Sequence, residues 1–427
     1  MYKATGLIKN YATLASTGKR KIALKILEAG LLAIQPEQIF KEEIELEEDI
    51  LRIKNKKVRL SKYERVFLIG FGKGSAGMAE KVEKKLGNFL TKGWVIDTSM
   101  GKSKRISYTV GTHPLPSKAN IDFTEKVLKE TAGLTKKDLV LIVICGGGSA
   151  LFEAPYSLKL KELSEVFGKL INSGANITEI NVVRKHLSKV KGGGLAKHLF
   201  PAKVINLIFS DVPGNDLAVI ASGPTVRDRS TVMQAVKILE KYGIRGSMVP
   251  RTALTELPKE AEYFENIENI LVLSNETALE AMKDEAKKLG YKSFIFSDRI
   301  QGEAKKMGRK LIEQTPPGKI LIAGGETTIK VSGKGKGGRN QALALASLPI
   351  TDDTLILAFD SDGLDYWHFG GAMADKETTL KAEKAGINLK DYLARDDSGS
   401  FFEKTGDGIL TDKLGSNVTD LIIVLKI

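Results

Sequence analysis

VFLIGFGKGSAGMAEKVEKKL, residues Val66–Leu86, is the stretch on which the reading of the fold turns. It opens with a continuous apolar run, as expected of a strand buried on both faces. A glycine-rich turn, GFGKGSAG at Gly70–Gly77, follows at once and opens the helix-like segment Ser75–Leu86. Strand, glycine turn and helix in that order begin a βαβ unit. The alternation continues along the chain. Further strand-like runs are Leu139–Ile144, Val204–Phe209, Ile270–Leu273, Lys292–Phe296, Lys319–Ala323, Thr354–Phe359 and Leu421–Leu425. Helical patterns at Asn120–Glu130, Lys161–Ile171, Thr231–Lys241, Glu276–Lys288, Glu303–Glu313 and Asp375–Ala385 lie between them. The expected fold class is therefore α/β with largely parallel sheets. Tyr242–Lys259 breaks the alternation with two prolines and two glycines, which divides the chain into two α/β domains, 1–245 and 246–427. The opening region, about Gly18–Glu48, reads as helix only, an arm packed on the first domain.

The chain has 427 residues, long enough for two or three domains, each with its own core. Its single cysteine, Cys145, excludes an internal disulfide framework and fits a reducing, cytoplasmic compartment. Four histidines leave little material for a zinc site. No apolar run approaches the roughly 20 residues of a membrane span. The net charge of +13 points to an anionic partner or to a solvated lysine-rich surface. Without a basic tail or an RNA-recognition signature, and with aromatics at only 7%, nucleic acid is not the expected partner.

Three glycine-rich turns are candidate anion sites. In the first, Gly72, Gly74 and Gly77 satisfy GxGxxG, Lys73 adds a point charge, and Asp97 lies where a dinucleotide fingerprint wants its ribose-binding acid. A tight strand–helix turn explains the same residues. The second, CGGGSALFEAP at Cys145–Pro155, offers Gly146, Gly147, Gly148 and Ser149 as a cradle for carboxylate or phosphate, or merely a turn. Cys145 reads as a packed apolar residue. The third, VSGKGKGGRNQALALA at Val331–Ala346, brings Gly337, Arg339, Asn340 and Gln341 to a helix start, where a guanidinium suits bidentate anion binding.

Candidate acids sit at strand ends: Asp211 and Asp216 beside Asn215 in FSDVPGNDLAVIASGPT, Glu326 in GGETT, and Asp360, Asp362 and Asp365 in FDSDGLD. In parallel sheets ligands bind at these carboxyl ends, although a lone Asp there also serves as a cap or turn residue. NVVRKHLSKVKGGGLAKHL, Asn181–Leu199, places Arg184, Lys185, His186, Lys189 and Lys191 on helix-like sequence, either a basic face for an anion or a solvated one. His113 sits in a turn; His198 and His368 read as structural or surface residues.

Six of these motifs, in order and spanning essentially the whole chain, resemble the type II glycerate 2-kinases, whose C-terminal domain is named MOFRL. They are Gly70–Ala79, Ile144–Pro155, Asn181–Ala196, Ser210–Thr225, Gly324–Gln341 and Asp360–Asp365. The resemblance implies a Rossmann-like N-terminal domain, a smaller C-terminal α/β domain and a site in the cleft between them. It implies ATP-dependent phosphorylation of D-glycerate at the 2-hydroxyl with a divalent metal, Mg²⁺, and is compatible with a homodimer. Lys73 and Arg339 match the residues thought to act on substrate and phosphate. Asp211 would orient or deprotonate the hydroxyl, or hold the metal. Gly72, Gly74, Gly146–Ser149, Arg184, Lys191, Asn215, Glu326, Gly337 and Asn340 would bind substrate or nucleotide; Asp216, Asp360 and Asp362 would hold metal. Truncating Lys73 or Arg339 would slow turnover with the fold intact. YWHFGGAMAD, Tyr366–Asp375, departs from the family's commoner Gly/Pro-containing turn. Two other readings remain at this point: a nicotinamide-dependent hydroxypyruvate reductase using the GxGxxG turn, and a non-enzymatic anion-binding protein.

Overall fold

The computed structural model describes residues 6–244, 246, 248–331 and 333–427. Arg245 and Ser247, inside the expected break, and Ser332, inside the third glycine turn, lie outside the described residues. The strands, in chain order, are β1 (Ile44–Glu47), β2 (Ile50–Ile53), β3 (Lys56–Arg59), β4 (Arg65–Phe71), β5 (Lys92–Asp97), β6 (Ile106–Val110), β7 (Asp138–Ile144), β8 (Lys203–Phe209), β9 (Ile267–Leu273), β10 (Lys292–Glu303), β11 (Lys319–Thr328), β12 (Thr354–Asp360), β13 (Gly371–Asp375), β14 (Gly408–Ile409) and β15 (Asp420–Lys426). The chain forms two compact units.

The first, Phe40–Ser210 with Asn215–Val272, is built on a six-stranded sheet ordered β6-β5-β4-β7-β8-β9. β4 pairs in parallel with both β5 and β7, and the β5–β6 and β7–β8 pairs are parallel as well. The chain thus enters the sheet at its centre with β4, moves out through β5 and β6, then returns to β7 and moves out the other way. β4 and β7 are neighbours whose onward connections diverge, the place where open parallel sheets leave a crevice at the strand ends. Every residue of β7, and every residue of β4 after Arg65, is buried, which explains the unbroken apolar runs. β1, β2 and β3 form a separate antiparallel sheet that the sequence patterns do not reveal, and β5 and β6 are likewise absent from the strand-like runs. These strands are short, and several are only partly buried.

The second unit gathers Met1–Ile39, Asp211–Gly214 and Leu273–Ile427 around a sheet ordered β10-β11-β15-β12-β13-β14. Here the parallel expectation needs correction. Only the β10–β11 pair is parallel; the β11–β15, β12–β15, β12–β13 and β13–β14 pairs are antiparallel. The C-terminal strand returns between β11 and β12, and burial on both faces makes its sequence read like a parallel strand.

Two further expectations shift. Residues 246–272, expected in the second domain, lie in the first unit, β9 forming the edge of its sheet. The opening helix Gly18–Ala33 belongs with the C-terminal unit, packed on the helix Asn275–Lys288 and on β15. Gly30 lies so close to Met282 there that a Cβ would stand 2.6 Å from its Cγ. Arg20 enters this interior with none of its surface exposed. It donates to Asp375 through Nε at 2.8 Å and Nη2 at 2.6 Å, and to Asp407 through Nη1 at 2.6 Å. Periodicity hides this residue, because an arginine on an apolar helix face reads as surface until its partners, 355 and 387 residues away, are known.

Replacing Arg20 by Met leaves Asp375 buried without its cation and Asp407 with Lys381 alone, at 2.6 Å. Breaking such a network costs about 3–5 kcal/mol, so urea unfolding should show Arg20→Met destabilised by about that amount; a loss within about 0.5 kcal/mol, the range of ordinary surface substitutions, would contradict the role given to this network.

Candidate functional site

The carboxyl ends of β4 and β7 are locked together. Gly72, at φ +114°, lies against the carbonyl of Cys145, and a Cβ there would stand 2.3 Å from that oxygen. The Lys73 N–H donates to the Gly146 carbonyl at 2.7 Å, and the Cys145 N–H to the Phe71 carbonyl at 3.0 Å. The first two glycine turns are therefore one structure, and Lys73 stands exposed upon it.

Asp97, at the end of β5, is buried and turned toward the helix Ser75–Leu86. Its carboxylate accepts from the N–H groups of Gly74 at 3.2 Å, Ala76 at 2.9 Å and Thr98 at 2.6 Å. The helix N-terminus is thus already occupied by a protein carboxylate. The ribose-binding role for Asp97 is not what the structure gives it, and a dinucleotide pyrophosphate would have to displace it from those N–H groups.

Beside Lys73 the second turn borders a cavity of about 410 Å³ lined by His113, Gly147, Ser149, Glu153, Phe167 and Arg184, among others. Gly147 faces the His113 ring, its Cβ position 2.8 Å from Cδ2, with the Lys73 Cε 3.4 Å away. Burial and the Lys73 ammonium hold His113 below its usual range. Ser149 Oγ lies 2.9 Å from Ser222 Oγ, which donates to Asn181 Oδ1 at 3.2 Å. Ser222 and Ala221 both hold left-handed backbone, at φ +62° and +49°, a local strain of the kind that positions side chains at binding sites. Gly148 packs beneath this point, against Phe71 and Ala221.

The basic segment divides into separate tasks. Arg184, from the helix Ile177–Leu187, reaches the cavity, its guanidinium 5.0 Å from the Phe167 ring centroid and donating to Asn181 at 3.2 Å. Lys185 pairs with Asp228 at 2.6 Å, and His186 Nδ1 lies 2.8 Å from the Thr255 carbonyl. Lys191 is 1% exposed and pairs with Glu153 at 2.7 Å while donating to the Phe152 carbonyl at 3.0 Å. Lys191 thus supports the turn from below rather than facing ligand.

The segment after β8 passes between units: Asp211–Gly214 groups with the C-terminal one, and Asn215 onward with the parallel sheet. Asn215 holds a left-handed φ of +53°, and both polar atoms of its amide are buried without a partner. Asp216 closes a turn, accepting from the Ala218 N–H at 2.8 Å.

The third turn lies in the C-terminal unit. Arg339 opens the helix Arg339–Ala346 and faces three carboxylates: Asp420 at 2.8 Å, Asp360 at 2.9 Å and Glu326 at 3.1 Å. Asn340 Nδ2 donates to Asp420 at 2.7 Å, and Asp365 caps the helix through the N–H groups of Asn340 at 3.1 Å and Gln341 at 2.8 Å. Gly337, at φ +140°, packs on Ser398. Burial opposes the charge of Arg339, but Asp420, Asp360 and Glu326 together hold it above its usual range. Burial, then Asp420 and Asp362, push Asp360 up to about 8. Burial first, and then Asp420, push Asp365 up to about 7. Asp420 itself is fully buried and likewise raised by burial. Alongside, Tyr366, Trp367 and His368 form three consecutive left-handed residues, held by Gln341 Nε2 donating to the carbonyls of Asp365 and Tyr366, both at 2.9 Å.

The expected metal ligands are otherwise engaged. Asp360 sits on Arg339, Asp362 accepts from the Leu364 N–H at 2.8 Å, and Asp216 closes its turn. Among the described residues no group of three or more His, Cys, Asp or Glu side chains is arranged to hold a metal ion. Three residues of these sites escaped the sequence reading: His113, Glu153 and Asp420. Glu153 was visible as an acid inside an apolar run, LFEAP, a pattern that demands a buried partner.

Residues 22–257 match the domain of unknown function DUF4147, and residues 319–420 match the MOFRL family. A D-glycerate 2-kinase of Thermotoga maritima is 36% identical, the alignment covering 95% of this chain and 98% of that protein. A glycerate 2-kinase of Pyrococcus horikoshii is 35% identical, over 95% and 97% respectively. The crystal structure of a glycerate kinase from Thermotoga maritima superposes with a TM-score of 0.85 at 35% identity, covering 95% of this chain and 99% of that one.

The carboxylates around Arg339 make the stability of the protein pH-dependent. Asp360 binds its proton more tightly when folded, up to about 8, than when unfolded. Its contribution is therefore fully present below the unfolded pKa of about 4 and declines as pH rises toward 8, by at most about 1.4 kcal/mol per pH unit. Asp360→Asn, which cannot ionise, should unfold in urea with a smaller loss of stability between pH 6 and pH 9 than the natural chain; an unchanged slope would show that Asp360 is ionised throughout.

Proposed function

The chain belongs to the glycerate 2-kinase family that carries the MOFRL domain, and we propose that it transfers the γ-phosphoryl group of ATP to the 2-hydroxyl of D-glycerate. The observation that carries this reading is the fused pair of glycine turns at β4 and β7, which sets Lys73 against Gly147, at the edge of a cavity lined by Gly147, Ser149 and Arg184. The N-terminal domain is of the Rossmann-like kind, in keeping with its strand order. The glycerate carboxylate rests by the Gly146–Ser149 turn. Lys73 and Arg339 neutralise charge on the transferred phosphoryl, the main task in phosphoryl transfer. Asp211 orients the attacking hydroxyl. The protein works in the cytoplasm. A divalent cation bound to the nucleotide would supply further neutralisation; among the described residues no group of three or more His, Cys, Asp or Glu side chains is arranged to hold one.

The reductase reading loses its main support, since Asp97 fills the glycine turn's N–H groups. NADH should not be oxidised in the presence of hydroxypyruvate; turnover there without ATP would revive that reading.

Incubation with ATP, Mg²⁺ and D-glycerate, read through enolase without phosphoglycerate mutase, should give signal, because enolase accepts 2-phosphoglycerate directly. Signal only after adding mutase would place the phosphate on the 3-hydroxyl. In the same assay Lys73→Ala should lower kcat at least about a hundredfold, the loss seen when a charge-stabilising donor is removed; near-normal turnover by the folded variant would take Lys73 out of the scheme. For Arg339 the structure changes the expectation of an intact fold. Its removal leaves Asp420 and Asp360 buried without their cation, so Arg339→Ala should lose stability as well as activity.

A further inference from the structure

The cavity below the second glycine turn contains two groups whose bonding capacity is unfilled. Arg184 is the first. Among the described residues no carboxylate lies within ion-pair distance of its guanidinium; its contacts are the Asn181 amide oxygen and the Phe167 face. Burial pulls it below its usual range, and Glu153 only partly offsets this. Glu153 is the second. Its Oε2 is taken by Lys191 at 2.7 Å, while its Oε1 is buried with no hydrogen-bond partner, in a residue only 2% exposed. Arg184, Lys191 and Glu153 thus set two cations against one carboxylate, and the excess positive charge resides on the residue that lines the cavity. A partly buried cation without a counter-ion, beside a buried acceptor without a donor, costs stability unless a ligand supplies both.

A hydroxy acid supplies both. We infer that Arg184 is the carboxylate anchor of the acceptor pocket and that Glu153 Oε1 accepts a hydrogen bond from a hydroxyl of the same molecule, so that together they restrict the substrate to small hydroxy acids. This rests on the kinase reading above and deepens it by assigning the group that recognises the acid. Lys73 and His113 lie by Gly147, on the turn that borders the same cavity, which leaves the phosphoryl chemistry to that side. Lys191 acts as a positioning residue, holding the other oxygen of Glu153.

The test compares D-glycerate with its methyl ester, which keeps both hydroxyls and loses the charge. Arg184→Met should raise KM for D-glycerate about 100-fold, the loss expected when one partner of a buried charge pair is removed. Its kcat/KM for methyl D-glycerate should stay within about twofold of the natural enzyme's. Arg184→Lys keeps the charge without the planar fork and should raise KM for D-glycerate about 10-fold; it keeps the question open to measurement if the Met variant does not fold. Glu153→Gln should weaken acid and ester alike. An unchanged KM for D-glycerate in either Arg184 variant, or an equal loss for acid and ester in Arg184→Met, overturns the assignment while the natural enzyme's turnover leaves the kinase reading standing. Absence of D-glycerate phosphorylation by the natural enzyme overturns both.

Discussion

The approach of Gly72 to the Cys145 carbonyl is the constraint on which the parallel-sheet unit depends. It joins the ends of two adjacent parallel strands whose onward connections run in opposite directions. Any side chain at residue 72 would drive the two turns apart, and with them Lys73, Gly147 and Ser149. The strain is not confined to glycine. Ala221 and Ser222 hold left-handed backbone so that a hydroxyl can meet Ser149. A rigid sheet thus carries a short, over-determined loop cluster, which is how a site gains geometry without relying on mobile segments.

Charge is distributed differently around the two candidate centres. In the parallel-sheet unit, Lys73 and Arg184 have no carboxylate partner among the described residues, and Lys191 is neutralised by Glu153. In the C-terminal unit a single guanidinium, Arg339, is surrounded by Asp360, Asp420 and Glu326. The first arrangement is short of anions and suits a carboxylate. The second is short of cations, which accounts for the raised carboxyl groups there and for the tight hold on Arg339. An arginine held this way is well oriented, because three carboxylates fix its guanidinium. The same principle, burial of charge only with its complement, places Arg20 between Asp375 and Asp407.

What the sequence by itself determined was local and periodic: the buried strands β4, β7, β8, β12 and β15, the helices between them, and the glycine turns at strand ends. These rest on short-range physics, namely apolar runs, glycine stereochemistry and strand–helix alternation. The three motifs that hold Lys73, Ser149 and Arg339 were legible for the same reason, and their order along the chain carried the family resemblance. Tertiary structure alone decided the rest. Strand direction in the C-terminal sheet was invisible because strands buried on both faces look alike whichever way they run. The attachment of the opening helix to the C-terminal unit, the capture of Asp97 by helix N–H groups, and the pairing of Arg20, Lys191 and Arg339 all depend on partners remote in sequence. A charged residue announces that it needs a counterpart; only the folded chain says whether the chain supplies one, as for Lys191, or supplies none among the described residues, as for Arg184.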